Sequence, residues 1–414
     1  MTRRLICLKD YAKAMNKKLY FPIVLSFFLL LFSLGTFNYS DKLASAATVS
    51  RGEAVFEVET GRMLYASNAD IPLPPASTTK TLTAIIIIED CDLDEVIKVT
   101  AESCGIEGSS IYLVPGEKIS VRDLLYGLML RSGNDCAETL ALHHSGSIGA
   151  FAQVMNERAK FIGAVDSCFK NPHGLPCEGH LTTAHDLGLI AAYALRNTLF
   201  SEIVQTSSHV VPDGGCGYAR VLQNKNKMLS QYEGADGVKT GYTKEAGRCL
   251  VASATRNNMR LVTAVLNSPQ MYERCGELLD NCFVKYSMQK IFDAELYQPT
   301  LDTEVRWKKC KAGCKGDVWY PLADDEIEEI FVEENLPTRL SLPIKKGDVV
   351  GEVNIYLQKQ LIFSQKIVSI MDVNRSFADI IREIAEKNQT RGNGCALTSI
   401  LPRVGSVADE PVIS

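Results

Sequence analysis

The sequence predicts an α+β protein: one antiparallel sheet closed by both ends of a domain, helices between them, then a small all-β sandwich domain. Three observations carry this. Two alternating segments stand at 54–58 and 62–66, and three more fill 237–266. Between these groups the apolar residues recur at helical spacing. After Tyr297 the chain becomes short alternating segments separated by Gly, Pro and charged turns.

The elements follow in order. Ala54–Val58 and Arg62–Ala66 read as paired strands around Glu59-Thr60-Gly61. Pro72–Pro75 ends that segment, and the apolar run from Leu82 through Ile85–Ile88 reads as a buried helix beginning at Ser77. Glu95–Thr100 is a short strand. Ser120-Val121-Arg122-Asp123 has the form of an N-cap, with Leu124, Leu125, Leu128 and Met129 as its apolar stripe. Helices follow at about 135–144, 149–161 and, after Thr183, to about Arg196. The glycine-rich stretch 207–234 reads as loops with one short strand. Gly237–Thr243, Arg248–Thr255 and Met259–Leu266 are strands, the last two a hairpin around Arg256-Asn257-Asn258. A helix over 271–292 packs across them. In the second domain strands are predicted around 303–307, 317–320, 330–332, 339–342, 349–357 and 361–370. Phe377, Ile380, Ile381 and Ile384 then lie at helical spacing, and disorder is predicted beyond Glu386.

The 414 residues suffice for two or three folded units, and 46% hydrophobic content supports a substantial core. The net charge of −5 is unevenly spread: residues 1–46 carry +5 and the remainder −10, which argues against a nucleic-acid partner. Six cations from Arg3 to Lys18 precede an uncharged segment, 19–40, and Ala44-Ser45-Ala46 offers a cleavage site. Residues 1–46 therefore read as a secretory signal, with an uncleaved anchor as the alternative because 19–40 is long enough to span a bilayer. Either way the protein is expected outside the cytoplasm. Beyond Cys7 there are twelve cysteines, with no Cys-x-x-Cys pair, so no zinc site or other metal and no cofactor is predicted. Export favours some disulfides, and a reducing habitat would leave thiols; composition does not choose between them.

The chemistry starts at Pro75-Ala76-Ser77-Thr78-Thr79-Lys80. Residues three apart on a helix share a face, so Ser77 and Lys80 project together. A hydroxyl becomes a nucleophile when a base takes its proton, and a lysine whose pKa is lowered can be that base. The positive end of the helix favours a developing oxyanion. Ser-x-x-Lys is common by chance. Two more stations give it context: Ser132-Gly133-Asn134, 55 residues on, between two helices, and Lys239-Thr240-Gly241, a further 107 residues on, opening a strand.

This set resembles the low-molecular-weight penicillin-binding proteins, the D-alanyl-D-alanine carboxypeptidases of serine peptidase family S11, in which Ser-Gly-Asn is the usual middle station. Asn171-Pro172-His173-Gly174-Leu175, Thr182–Asp186 and Gly237–Thr243 match as well, and the resemblance covers about 48–370. It implies a penicillin-binding/β-lactamase-like transpeptidase domain over 48–294, a β-sandwich over 297–372, and a short amphipathic helix with a tail over 373–414. It implies that Ser77 forms an acyl-enzyme, that Lys80 is its base and that Ser132 relays a proton. Asn134 would hold the substrate amide, Lys239 and Thr240 its terminal carboxylate, and Gly241 would let the peptide lie close. The backbone N–H groups of Ser77 and Tyr242 would form the oxyanion hole. Peptidoglycan stem peptides are the implied substrates and β-lactams the implied inhibitors. Membrane contact would come through 19–40 or, weakly, through 377–384, which lacks a basic face. The same site could serve a DD-endopeptidase or a β-lactamase, although no Glu-x-x-Leu-Asn stretch lies between Ser132 and Lys239. A non-catalytic wall-binding scaffold is the reading from another class. Lys225 matches a basic position near the family's site, and His173 and His185 are assigned loop and helix-cap roles.

Overall fold

The computed structural model describes residues 5–7 and 51–392. The predicted export segment lies outside these apart from 5–7, as does the tail from 393 onward. The chain divides into two compact units, with the border after Lys290 and the segment Trp319–Ile327 returning to the first.

The first unit is built on five antiparallel strands: β1 (Gly52–Glu57), β2 (Met63–Ser67), β3 (Ala235–Thr243), β4 (Gly247–Arg256) and β5 (Met259–Leu266), in the order β2-β1-β5-β4-β3. Strands from both ends of the unit thus pair side by side, with Val262 opposite Phe56. The β4–β5 hairpin turns through Asn257 and Asn258, both at positive φ, as a two-residue hairpin of the right twist requires. Both faces of the sheet are covered. Ala54, Phe56, Val251, Val262 and Ala264 enter the core shared with the helices, whereas Val55, Leu250, Leu261 and Val265 pack with the helix over Met271–Lys285. This alternation follows from the period of two along a strand.

Helix α1 (Lys80–Asp90) runs through the centre of the helical core, and Leu82 through Ile87 are all buried, so a helix apolar on every side sits where no side meets water. Around it lie α2 (Val121–Leu130), α3 (Asn134–Ser145), α4 (Ile148–Ile162), α5 (Ala184–Leu195) and α6 (Thr198–Gln205). Ser120 caps α2 through Asp123 N–H, and Thr183 caps α5 through Asp186 N–H.

Several expectations are corrected. Ser77 falls in a 3-10 turn, Ala76–Thr79, and the α-helix begins at Lys80. The 207–234 region holds a two-stranded ladder, Ser208–Val211 with Arg220–Gln223, where one strand was expected. Helix α7 (Met271–Lys285) stops seven residues early. Ser287–Phe292 is a strand whose partner, Val318–Leu322, is remote in sequence.

The second unit is a β-sheet followed by one helix, with β6 (Thr300–Asp302), β7 (Lys309–Gly313), β8 (Ile330–Asn335), β9 (Val349–Leu357) and β10 (Gln360–Ser369) in the order β8-β9-β10-β7-β6, and Leu5–Cys7 paired antiparallel on the outer side of β8. The 339–342 segment forms only a single bridge, at Leu340. Helix α8 (Phe377–Gly392) continues past Glu386, where disorder was expected, because no glycine or proline interrupts it before Gly392. Its N-terminal turn is held by the Asp379 carboxylate, which accepts from Trp307 Nε1 at 2.8 Å and from Ser376, and pairs with Lys308. Phe377, Ile380, Ile381 and Ile384 are exposed. Among the described residues no single helix is long and apolar enough to cross a membrane. The eleven cysteines within residues 51–392 are all free thiols.

Candidate active site

The turn before α1 aims Ser77 outward while its neighbours face in. Ala76 adopts φ 48°, a left-handed conformation, and Thr78 and Thr79 return their hydroxyls to the carbonyls of Pro75 and Ala76. Ser77 is half-buried and Thr78, Thr79 and Lys80 are buried. The Asn171–Leu175 loop presses on this turn from behind. Gly174 sits at φ 86°, and a Cβ there would lie 1.8 Å from the Ala76 carbonyl oxygen, so only glycine fits.

Lys80 is completely buried, and its Nζ has three oxygen neighbours: Ser77 Oγ at 3.0 Å, Asn134 Oδ1 at 2.7 Å and the His173 carbonyl at 2.7 Å. Burial lowers its pKa well below the ordinary lysine value. The charge on Lys239 lowers it further, while Cys136 and Asp135 oppose the shift. A neutral amine has two N–H groups and one lone pair. Both carbonyl-type oxygens can only accept, so they take the two hydrogens, and the lone pair is left facing the Ser77 hydroxyl.

Asn134 opens α3, and its Nδ2 donates to the Glu107 carbonyl, which fixes the amide with Oδ1 toward Lys80. Ser132 lies in the turn between α2 and α3 at φ 63° and is nearly buried. On the other side runs β3, the free edge of the sheet. A Cβ on Gly241 would sit 3.1 Å from Ser77 N and Thr78 N, so the glycine is what lets this strand approach the turn. Lys239 is buried, donates to the Thr240 carbonyl at 2.9 Å and has its pKa lowered to about 7, chiefly by burial and then by Lys225. Lys225 donates to Ser109 Oγ at 3.1 Å. Tyr242 is exposed.

The structure therefore brings Ser77, Lys80 and Asn134 into direct contact and sets Gly241 against the Ser77 backbone. Histidines surround them, of which His180 has no role assigned from the sequence. His173 has a definite tautomer: its Nδ1 accepts from Leu175 N–H, so Nε2 carries the proton and faces Glu138 at 3.1 Å. His180 is built alike, accepting from Lys170 N–H and facing Thr79 Oγ1, and burial pushes its pKa down to about 4. Both histidines brace the turn and its loop. His185 lies beside Asp186 at the start of α5. No group of three metal-ligating side chains occurs among the described residues.

A sequence profile of the D-alanyl-D-alanine carboxypeptidases, peptidase family S11, matches residues 41–270. The chain belongs to this family. A second profile, the C-terminal domain of penicillin-binding protein 5, matches 301–375. This S11 peptidase is 28% identical over 375 residues to D-alanyl-D-alanine carboxypeptidase DacF of Bacillus subtilis, covering 87% of this chain and 95% of that one. It is also 28% identical to DacC of Escherichia coli over 370 residues, covering 84% and 90%. Among solved structures, penicillin-binding protein 5 of Haemophilus influenzae superposes with a TM-score of 0.64 at 27% identity, covering 78% of this chain and 97% of that one. The chain is accordingly a serine peptidase of the S11 type, with an α+β catalytic fold and an all-β domain after it.

Proposed function

We propose that this chain removes the terminal D-alanine from peptidoglycan stem pentapeptides through an acyl-enzyme on Ser77, and that β-lactams acylate the same oxygen. The observation that carries the reading is the buried Lys80 amine, 3.0 Å from Ser77 Oγ with its two hydrogens engaged elsewhere. Ser77 Oγ attacks the carbonyl carbon of the penultimate D-Ala as its proton passes to Lys80 Nζ. The oxyanion is held by the N–H groups of Ser77 and Tyr242. The C–N bond then breaks, and the proton returns from Lys80 through the Ser132 hydroxyl to the departing amine. Water adds to the ester by the reverse path and restores Ser77. Lys239 and Thr240 hold the terminal carboxylate, the charge that marks a carboxypeptidase substrate, and the peptide adds to the free edge of β3.

The charge-asymmetric N-terminus supports an exported protein acting at the wall or the outer face of the membrane. The exposed stripe on α8 offers a second, weaker membrane contact. The test is release of free D-alanine from a stem pentapeptide, with fluorescent penicillin labelling alongside. Ser77→Ala is expected to abolish both. An unlabelled, inactive wild type would instead support the scaffold reading.

A further inference from the structure

The segment 107–113 touches the site more closely than any motif suggests. The Ser109 carbonyl accepts from Asn134 N–H at 2.7 Å, the Glu107 carbonyl accepts from Asn134 Nδ2, and Ser109 Oγ accepts from Lys225. It is therefore the wall against which Asn134 is set, and Asn134 in turn holds Lys80. The segment has little regular structure of its own, and Tyr112, an exposed aromatic, sits in it at φ 61°. A bulky residue in the left-handed region persists only where its surroundings hold it there.

Two side chains supply that hold, from opposite sides. The Asp135 carboxylate, buried beside Asn134 on α3, accepts from Ser110 Oγ at 2.6 Å, from the backbone N–H groups of Ile111 and Leu113 at 3.1 Å each, and from its own helix at Cys136 N–H. Arg220, from the strand Arg220–Gln223, donates to the carbonyls of Ile111 at 2.8 Å and Tyr112 at 3.0 Å. Its guanidinium is itself locked on buried Glu117. The carboxylate collects the N–H groups of the segment and the guanidinium its C=O groups, so the backbone around Tyr112 is fixed at both polarities.

We propose that Asp135 and Arg220 are positioning residues for the acylation step, clamping 107–113 so that Asn134 and Lys80 keep their geometry against Ser77. The inference rests on the reading of Lys80 as the base. The groups facing Lys80 are Ser77, Lys239 on β3, Asp135 and Cys136 on α3, Lys225, and the loop bearing His173.

The experiment is the second-order rate constant for acylation of the full chain by a fluorescent penicillin, followed from pH 5 to 9. Asp135→Asn keeps the size and removes the charge and half of the acceptors. It is expected to slow acylation roughly 10- to 100-fold through misplacement of the catalytic groups. It should also move the acid limb to lower pH, because the negative charge that opposes the lowering of the Lys80 pKa is gone. Arg220→Lys retains the charge and loses the planar fork, so it is expected to slow acylation roughly 10-fold with the limb unmoved. A residue that only stabilised the fold, away from Lys80, would leave the Asp135→Asn limb where it was; for Arg220→Lys the readout is the acylation rate of the folded protein. If Asp135→Asn does not fold, Ser110→Ala removes a single donor, and a several-fold loss of rate is its expected result. Wild-type rates in Ser110→Ala or Arg220→Lys, or an Asp135→Asn limb in the wild-type place, would overturn the proposal. Labelling that persists in Ser77→Ala would instead sink the underlying reading of the site.

Discussion

Lys239 should destabilise the protein it serves, and the size of that cost can be worked out. Its amine is buried, with one hydrogen bond to the Thr240 carbonyl, and its pKa is lowered from 10.5 to about 7. At 1.36 kcal/mol per pH unit this is about 5 kcal/mol of disfavour for the charged form in the folded state. Between pH 7 and 10.5 the unfolded chain holds the proton and the folded one does not, so stability rises with pH across that window. The full cost applies below about 7, and it is gone above 10.5. At pH 7 it is about 4 kcal/mol. Lys239→Met removes it and forfeits about 1 kcal/mol for the lost hydrogen bond. The variant should therefore be about 3 kcal/mol more stable at pH 7, with its advantage vanishing by pH 10. Loss of the Lys239 charge also relieves Lys80, which acts in the same direction. Urea unfolding of both proteins at pH 7, 8.5 and 10 measures this, with D-alanine release checking that activity is lost. A variant no more stable at pH 7, or an advantage that does not shrink as pH rises, would refute the reasoning.

Three other outcomes are expected. The KM for a pentapeptide should rise as pH passes upward through about 7, where free Lys239 gives up its proton, and a KM flat from pH 6 to 9 would count against its carboxylate contact. Gly174→Ala places a Cβ 1.8 Å from the Ala76 oxygen at φ 86°, so it should cost about 2–5 kcal/mol in strain and overlap and slow penicillin labelling; a melt within a degree of wild type would contradict this. Glu117→Ala strands the buried Arg220 guanidinium and should cost about 3–5 kcal/mol, read from denaturant midpoints.

Much of the fold was legible because its signals are local. The β4–β5 hairpin has alternating strands and two asparagines that accept positive φ, and the caps at Ser120 and Thr183 stand immediately before their apolar stripes. What was missed depends on remote partners. Nothing in Ser287–Phe292 marks the end of α7, because the strand is defined by a mate at Val318–Leu322. The ladder 208–211 with 220–223 hides in a stretch whose glycines read as loop, with Val211 and Leu222 its only deeply buried apolar residues. The motif residues were visible as words, whereas their supports were not. Asp135 follows Asn134 directly, yet its reach to Ile111 and Leu113 requires the fold.

The site also explains why both ends of the catalytic unit meet in one sheet. Lys80 and Lys239 are buried amines whose charged forms repel each other and resist desolvation, so local structure at either would move away from the other. What holds them is the rigidity of the elements that carry them. Lys80 is the first residue of a helix whose next turns are wholly buried, and Lys239 lies in a strand paired along its length with β4, which is paired to β5 and thence to β1. Gly241 lets that strand touch the Ser77 turn, and the braced loop with Gly174 keeps the turn from retreating. The apolar area buried by α1 and the sheet therefore offsets the electrostatic cost of two lysines. A lysine kept short of its proton at neutral pH is what the chemistry proposed at Ser77 requires.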